Sequence, residues 1–335
     1  MKNKFTPKNV VLLGTLYALL LYLLYCKDEQ IKSTFFVFDP RIKPIISDRF
    51  EHYYRQGDFN HLTNHWQTSW FVYKMIKWFK IPHISKEVTL YAQDHLPFSS
   101  TFIGNSDYTF IEDCAHQYDL WKYRAEKFEK ERKEFKHRIS AFLTGPTYYR
   151  IIGNNPQCRS IVVTNQETDE RAKGKKQVIV DLKKEWENAS EWKRQFILYI
   201  FNIFPNDLLL LKKAKFVLLT QPLNKDGISF AEHKRIYGKI IEQYPKDSLL
   251  IKVHPRDDFP YENEYPNIPI IRKQVPFELF TLIISSGFQI LTVFSAAAFS
   301  GADNKILWYG TEISDELLEI YGNVPMPDGA IKCYI

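Results

Sequence analysis

Residues 9–26, NVVLLGTLYALLLYLLYC, carry no charge and lie between Lys8 and Lys27. Such a run has two outlets. It can cross a bilayer, being at the lower edge of the length that does so, or it can be the buried start of an α/β domain. Gly14-Thr15 divides it and favours the second. Val10 to Leu13 then forms a buried parallel strand, Gly14 a tight turn, and Thr15 the cap of a helix running from Leu16 towards Asp28. TFFVFD (34–39) follows at strand length, completing a strand, turn, helix, strand unit. A membrane anchor would leave that second run without a neighbour, and no small-x-small cleavage site follows the apolar stretch.

The same alternation continues down the chain. VTLYAQ (88–93), YTFIED (108–113) and SIVVTN (160–165) read as further buried strands, and 41–55 reads as helical. Segment 119–143 has Glu and Lys at spacings of three and four and only a narrow apolar stripe, the pattern of a solvated helix docked by one edge. Residues 166–190 read as a polar surface loop, and 188–203 as a helix. A second series then begins with KFVLLTQP (215–222), a helix around 230–243 and SLLIKVHP (248–255). PIIRK (269–273), a helix after Pro276, ILTVFS (290–295) and KILWYG (305–310) complete it. The expected architecture is two successive Rossmann-like α/β domains, 1–200 and 201–335, facing across a cleft that is the default ligand site.

Composition narrows the function. The net charge of +6 fits an anionic substrate or peripheral contact with an inner-membrane surface, and is too small to imply nucleic acid. Cys26, Cys114, Cys158 and Cys333 are scattered, with no CxxC, which reads as reduced thiols in a cytoplasm rather than disulfides or a metal site. No GxGxxG follows any expected strand, so a Rossmann oxidoreductase is disfavoured.

Open α/β sheets bind ligands at the carboxyl ends of their strands, and several chemically capable residues fall there. LLIKVHP ends in His254-Pro255-Arg256, and proline keeps His254 extended while Arg256 adds a phosphate-binding fork. Packed structure is the ordinary role of a lone histidine. ILTVFS ends in Ser295 before Ala296, where Ser295 reads as the cap of a short helix. KFVLLTQP delivers Gln221 and then Asp226-Gly227, a turn signal in its own right. YTFIED places Glu112 and Asp113 at a strand end, pointing to opposite faces.

These residues resemble glycosyltransferase family 52, the bacterial lipooligosaccharide sialyltransferases, and more distantly other bacterial sialyl- and polysialyltransferases. The resemblance lies in an acidic pair (Glu112-Asp113), a His-Pro motif within KVHPRD, and a Ser motif, Phe294-Ser295-Ala296-Ala297. The ordered set TQP, HPRD, PFE and FSAAA is its most specific part, and VVLLGTLYALLL looks like the family's first strand and helix. Cys114 stands where the family's acidic pair is followed by Gly.

The resemblance implies a GT-B architecture, an acceptor-side domain over 1–200 and a nucleotide-sugar domain over 201–335. It implies CMP-sialic acid as donor, a galactoside end of a lipooligosaccharide or capsular glycan as acceptor, inversion at the anomeric carbon, and no metal or other cofactor. Asp226 is the preferred base, with Glu232, Glu112 and Asp113 also open. His254, as imidazolium, is the expected acid on the leaving phosphate, and Ser295 its anchor. Glu278 in PFELF is the candidate for the ribose hydroxyls, while Gly14, Thr15, Gln221, Pro255, Arg256 and Ala296 line the substrates. The alternatives are a same-fold transferase of glucosyl or N-acetylhexosaminyl units and a non-catalytic membrane-anchored polysaccharide-assembly protein. A homodimer is compatible with the sequence.

Overall fold

The computed structural model describes residues 5–56, 87–96, 99–115, 117–120, 152–271, 274–284, 287–295, 304–326 and 328–335, with isolated positions between them. The chain divides into two compact units, Met1–Ile200 and Phe201–Ile335. The expected helix over 119–143 and Ala296 fall largely or wholly outside the described residues.

The apolar run at the start divides where Gly14-Thr15 says it should. Strand β1 spans Asn9–Leu13 and helix α1 spans Leu16–Tyr25. Thr15 is extended and its side chain accepts from the Ala18 amide, satisfying one of the free donors of the first helical turn. Nine of the ten α1 residues are buried, from Leu16 to Leu24, so the helix is apolar all round because it lies inside the unit. Among the described residues no helix is long and apolar enough to cross a membrane.

The first unit carries a seven-stranded sheet in the order β3-β2-β1-β4-β5-β6-β7. Its other strands are β2 (Thr34–Phe38), β3 (Tyr53–Arg55), β4 (Thr89–Ala92), β5 (Tyr108–Ile111), β6 (Cys158–Val163) and β7 (Lys176–Ile179). Every pairing is parallel, and β1 runs in register with β2 from Asn9↔Thr34 to Leu13↔Phe38.

The second unit repeats the plan with six strands in the order β10-β9-β8-β11-β12-β13. These are β8 (Phe216–Leu219), β9 (Leu249–Lys252), β10 (Ile270–Ile271), β11 (Gln289–Thr292), β12 (Ile306–Trp308) and β13 (Ile331–Lys332), again all parallel. The order reverses direction between β1 and β4 in one sheet and between β8 and β11 in the other. In each sheet taken by itself, the reversal point is where a crevice opens above the carboxyl ends of the strands.

Two expectations are corrected. Residues 41–55 are not one helix: a single turn, Pro44–Ser47, leads into strand β3. The 166–190 segment is not all loop, since it holds β7 and the helix Leu182–Glu187. Both missed strands are sheet edges, β3 half-buried and β7 partly exposed, so neither carries the continuous apolar run of a strand covered on both faces.

Candidate active site

In the second unit the ends of β8 and β9 are locked together. Thr220 Oγ1 donates to Asp257 Oδ2 at 2.7 Å and accepts from the His254 amide at 3.0 Å. The Asp257 amide returns to the His254 carbonyl at 2.9 Å. Gln221 is held by its amide, which donates to the buried Tyr237 hydroxyl at 2.6 Å, and the Pro255 carbonyl accepts from Gln274 at 3.1 Å. The KVHPRD turn is therefore a fixed loop.

His254 Nδ1 accepts the Arg256 amide at 3.1 Å, which places the ring proton on Nε2. Burial, then the charges of Arg256 and Lys252, press the imidazole down to about 3. The lowered pKa favours the neutral ring with its proton on Nε2, and an anion beside the ring would shift it towards imidazolium.

Arg256 is exposed beyond the ring, and its Nη2 lies 3.7 Å from Asp226 Oδ2. Asp226 closes the short 3-10 turn Leu223–Asp226 and accepts the Tyr321 hydroxyl at 2.9 Å. The structure thus brings Asp226, after β8, to Arg256 in the His254 loop after β9, with Tyr321 as a support that no local motif announces.

Ser295 follows β11 and is buried, its amide donating to Thr292 Oγ1 at 2.8 Å. The expected helix behind it reduces, among the described residues, to a turn in which the Ala298 amide reaches the Ser295 carbonyl at 3.1 Å. Glu278, in the first turn of helix Phe277–Ile283, is also buried. Its charge acts on Lys252, a buried lysine at the end of β9. Burial lowers that ammonium to about 8 against the opposing pull of Glu278.

The first unit separates the acidic pair as strand geometry requires. Glu112 Oε2 accepts from Tyr17 at 3.1 Å, the Thr164 amide at 2.8 Å and the Thr164 hydroxyl at 3.0 Å. Burial nevertheless raises it to about 8, over the lowering effect of those bonds. The raised pKa favours its protonated form near neutral pH. Asp113 points the other way. Gln93 Nε2 donates to its Oδ1 at 2.7 Å and His95 Nε2 lies 3.4 Å from the same oxygen. Burial works to raise Asp113, but His95, Arg41 and Gln93 outweigh it and the carboxyl is lowered.

Gly14 and Thr15 belong to this second cluster. The Gly14 amide donates to Gln93 Oε1 at 2.6 Å, and Thr15 Oγ1 donates to the Asp113 carbonyl at 3.0 Å. A Cβ on Gly14 would meet Arg41 Nη2 at 2.5 Å and the end of Leu96, so a larger residue there would push both side chains aside. Glu232 is spent elsewhere: both its oxygens are taken by Arg235, at 2.6 Å each.

Two parallel-sheet α/β units, each with polar side chains gathered at the carboxyl ends of its strands, define the GT-B class. The profile of glycosyltransferase family 52 matches residues 46–317, and the chain belongs to that family. It is by that membership a glycosyltransferase. An uncharacterized protein of Haemophilus influenzae Rd is 27% identical over 323 residues, covering 95% of this chain and 99% of its own.

Among solved structures the chain is similar to the 2,6-sialyltransferase of Photobacterium sp. JT-ISH-224, crystallised with CMP and lactose. The TM-score is 0.60 at 13% identity, over 94% of this chain and 75% of that one. The GT-B domain of the Photobacterium damselae sialyltransferase gives 0.52 at 14% identity, over 93% and 94%. UDP-GlcNAc 2-epimerase of Methanocaldococcus jannaschii also gives 0.52, at 13% identity over 97% and 88%. At these identities the structural likenesses speak for the fold.

Proposed function

We propose that the protein transfers sialic acid from CMP-sialic acid to a galactoside end of a lipooligosaccharide or capsular glycan, inverting the anomeric carbon. The observation that carries this reading is the loop at the end of β9. It presents an imidazole Nε2–H and an exposed guanidinium side by side, in a family of glycosyltransferases.

The acceptor oxygen attacks the anomeric carbon while the bond from that carbon to the nucleotide phosphate breaks, its electron pair going to the phosphate oxygen. Asp226 takes the hydroxyl proton. His254, charged by the neighbouring phosphate, gives its Nε2 proton to the departing oxygen, and Arg256 and Ser295 hold the same group. Glu278 receives the ribose hydroxyls, and Lys252 keeps that buried carboxylate in its charged form.

Of the four carboxylates first open as base, Glu112 is disfavoured by its raised pKa and Glu232 by its bidentate pairing with Arg235. Asp226 retains an oxygen edge beside Arg256 and is preferred.

A ligand that binds only the native state raises its stability, by roughly 2.7 kcal/mol at a hundredfold excess over Kd. CMP is therefore expected to raise the melting temperature by several degrees at concentrations where UDP and GDP leave it unchanged. Thermal denaturation with each nucleotide checks this. Stabilisation by UDP at lower concentration than CMP replaces the sialyl donor with a UDP-sugar.

A further inference from the structure

Behind the His254 loop lies a set of buried polar side chains that packing alone does not require. His233, on the helix Phe230–Glu242, is fully buried. Its ring lies flat on Phe259, with centroids 4.4 Å apart at an interplanar angle of 4°, and its Nε2 is 2.8 Å from the Tyr261 hydroxyl. Tyr261, also buried, carries that contact on to Asp257. Asp257 Oδ2 in turn accepts the Thr220 hydroxyl at 2.7 Å, and Thr220 Oγ1 accepts the His254 amide at 3.0 Å. One turn further along the same helix, the Tyr237 hydroxyl accepts the Gln221 amide at 2.6 Å. The helix is thereby tied to the loops after both β8 and β9.

The direction of this chain follows from what each atom can do. With Tyr261 donating to the Asp257 carboxylate, the phenol oxygen is left to accept, so His233 carries its proton on Nε2. Nδ1, which has no hydrogen-bond partner among the described residues, is then a bare lone pair, less costly to bury than an orphaned N–H. Burial presses the ring down to about 4, against the opposing pull of Asp258, which favours the neutral form. A connected chain of hydrogen bonds specifies one arrangement of the loops. Apolar side chains of the same volume would fill the space without doing so.

We propose that His233 is a positioning residue for the transfer reaction, acting through Tyr261, Asp257 and Thr220 to set the His254 loop where its imidazole meets the leaving phosphate. This role rests on the glycosyl-transfer reading above. It falls to a buried residue that lies outside the TQP and KVHPRD motifs.

The test compares full-length His233→Gln, His233→Leu and Tyr261→Phe with the wild type, each well below its melting temperature. A displacement of about 1 Å in a catalytic group can cost ~10²-fold in rate. Tyr261→Phe and His233→Leu are therefore expected to lower kcat by about ten-fold or more, with KM for CMP-sialic acid changed less. Tyr261→Phe removes one oxygen and keeps the ring, so it tests the relay even where His233→Leu fails to fold. His233→Gln, which keeps a side-chain N–H donor, is expected to retain more activity than His233→Leu, whereas a purely packing role would favour the leucine. Because the relay acts through His254, the double variant His233→Leu/His254→Ala should be no slower than His254→Ala. Amide exchange over 253–257, read by mass spectrometry without substrate, should be faster in Tyr261→Phe than in the wild type.

Wild-type kcat in Tyr261→Phe, a leucine variant as active as the glutamine one, or multiplied losses in the double variant would each overturn the proposal. A wild type that transfers no sugar from any donor sinks the glycosyl-transfer reading instead. The exchange measurement then decides the relay by itself, and unchanged exchange in Tyr261→Phe overturns it.

Discussion

His254→Ala is expected to lower kcat by ~10²-fold or more, the usual worth of a positioned general acid. The fold should persist, because the side chain is half-buried at a strand end and the loop is held by Thr220 and Asp257. The defect should shrink with a donor whose leaving group is more acidic, since less protonation is then needed in the transition state.

The pH profile adds a second signature. With its pKa pressed to about 3, His254 is neutral in the free enzyme across the working range. It should therefore contribute no limb near pH 6.5 to kcat/KM. In the donor complex the phosphate raises the imidazole pKa, so kcat should fall as pH rises through that shifted value. Near-normal turnover in His254→Ala would reduce the loop to a structural strand end.

Asp226→Ala should be impaired on the same scale, ~10²-fold or more in kcat, but for a different reason. A base acting on the acceptor hydroxyl is indifferent to the leaving group, so its defect should stay constant between ordinary and activated donors. Asp226 also lies near Arg256. Were its role only to orient that guanidinium on the phosphate, the Asp226→Ala defect would shrink with the activated donor just as that of His254→Ala does. Steady-state rates for both variants with both donors separate the two roles.

How far the sequence reveals this arrangement depends on whether the signal is local. The split of the first apolar run was legible because Gly14 and Thr15 are adjacent and carry turn and cap chemistry. The opposed faces of Glu112 and Asp113 follow from the two-residue period of a strand. The central strands announced themselves as apolar runs, whereas β3, β7 and β13 are edges whose burial is incomplete. β13 is only two residues long, one exposed and one half-buried, and carries no apolar run to mark it.

The site is harder to read because its partners meet through sheet order. Arg41 reaches Gly14 across 27 positions, and His95 reaches Asp113 across 18, only because β2 and β4 flank β1 and β5 follows β4. Neither Arg41 nor His95 sits in a motif. The Thr220–Asp257 lock was half visible, since both ends lie in quoted motifs, but nothing local says that the two strands are neighbours. Lys252 was hidden in plain view, a charge inside an otherwise apolar strand, which becomes informative only once its burial beside Glu278 is known.

The central claim is the identity of the donor, and a donor panel tests it most directly. Purified full-length protein would be incubated with a galactoside and, in separate reactions, CMP-sialic acid, UDP-glucose, UDP-N-acetylglucosamine and a GDP-sugar, and the extended glycan identified by mass. Transfer of sialic acid from the CMP donor, with the other donors unused, is the predicted result. Transfer of a hexose or N-acetylhexosamine in place of sialic acid would contradict it.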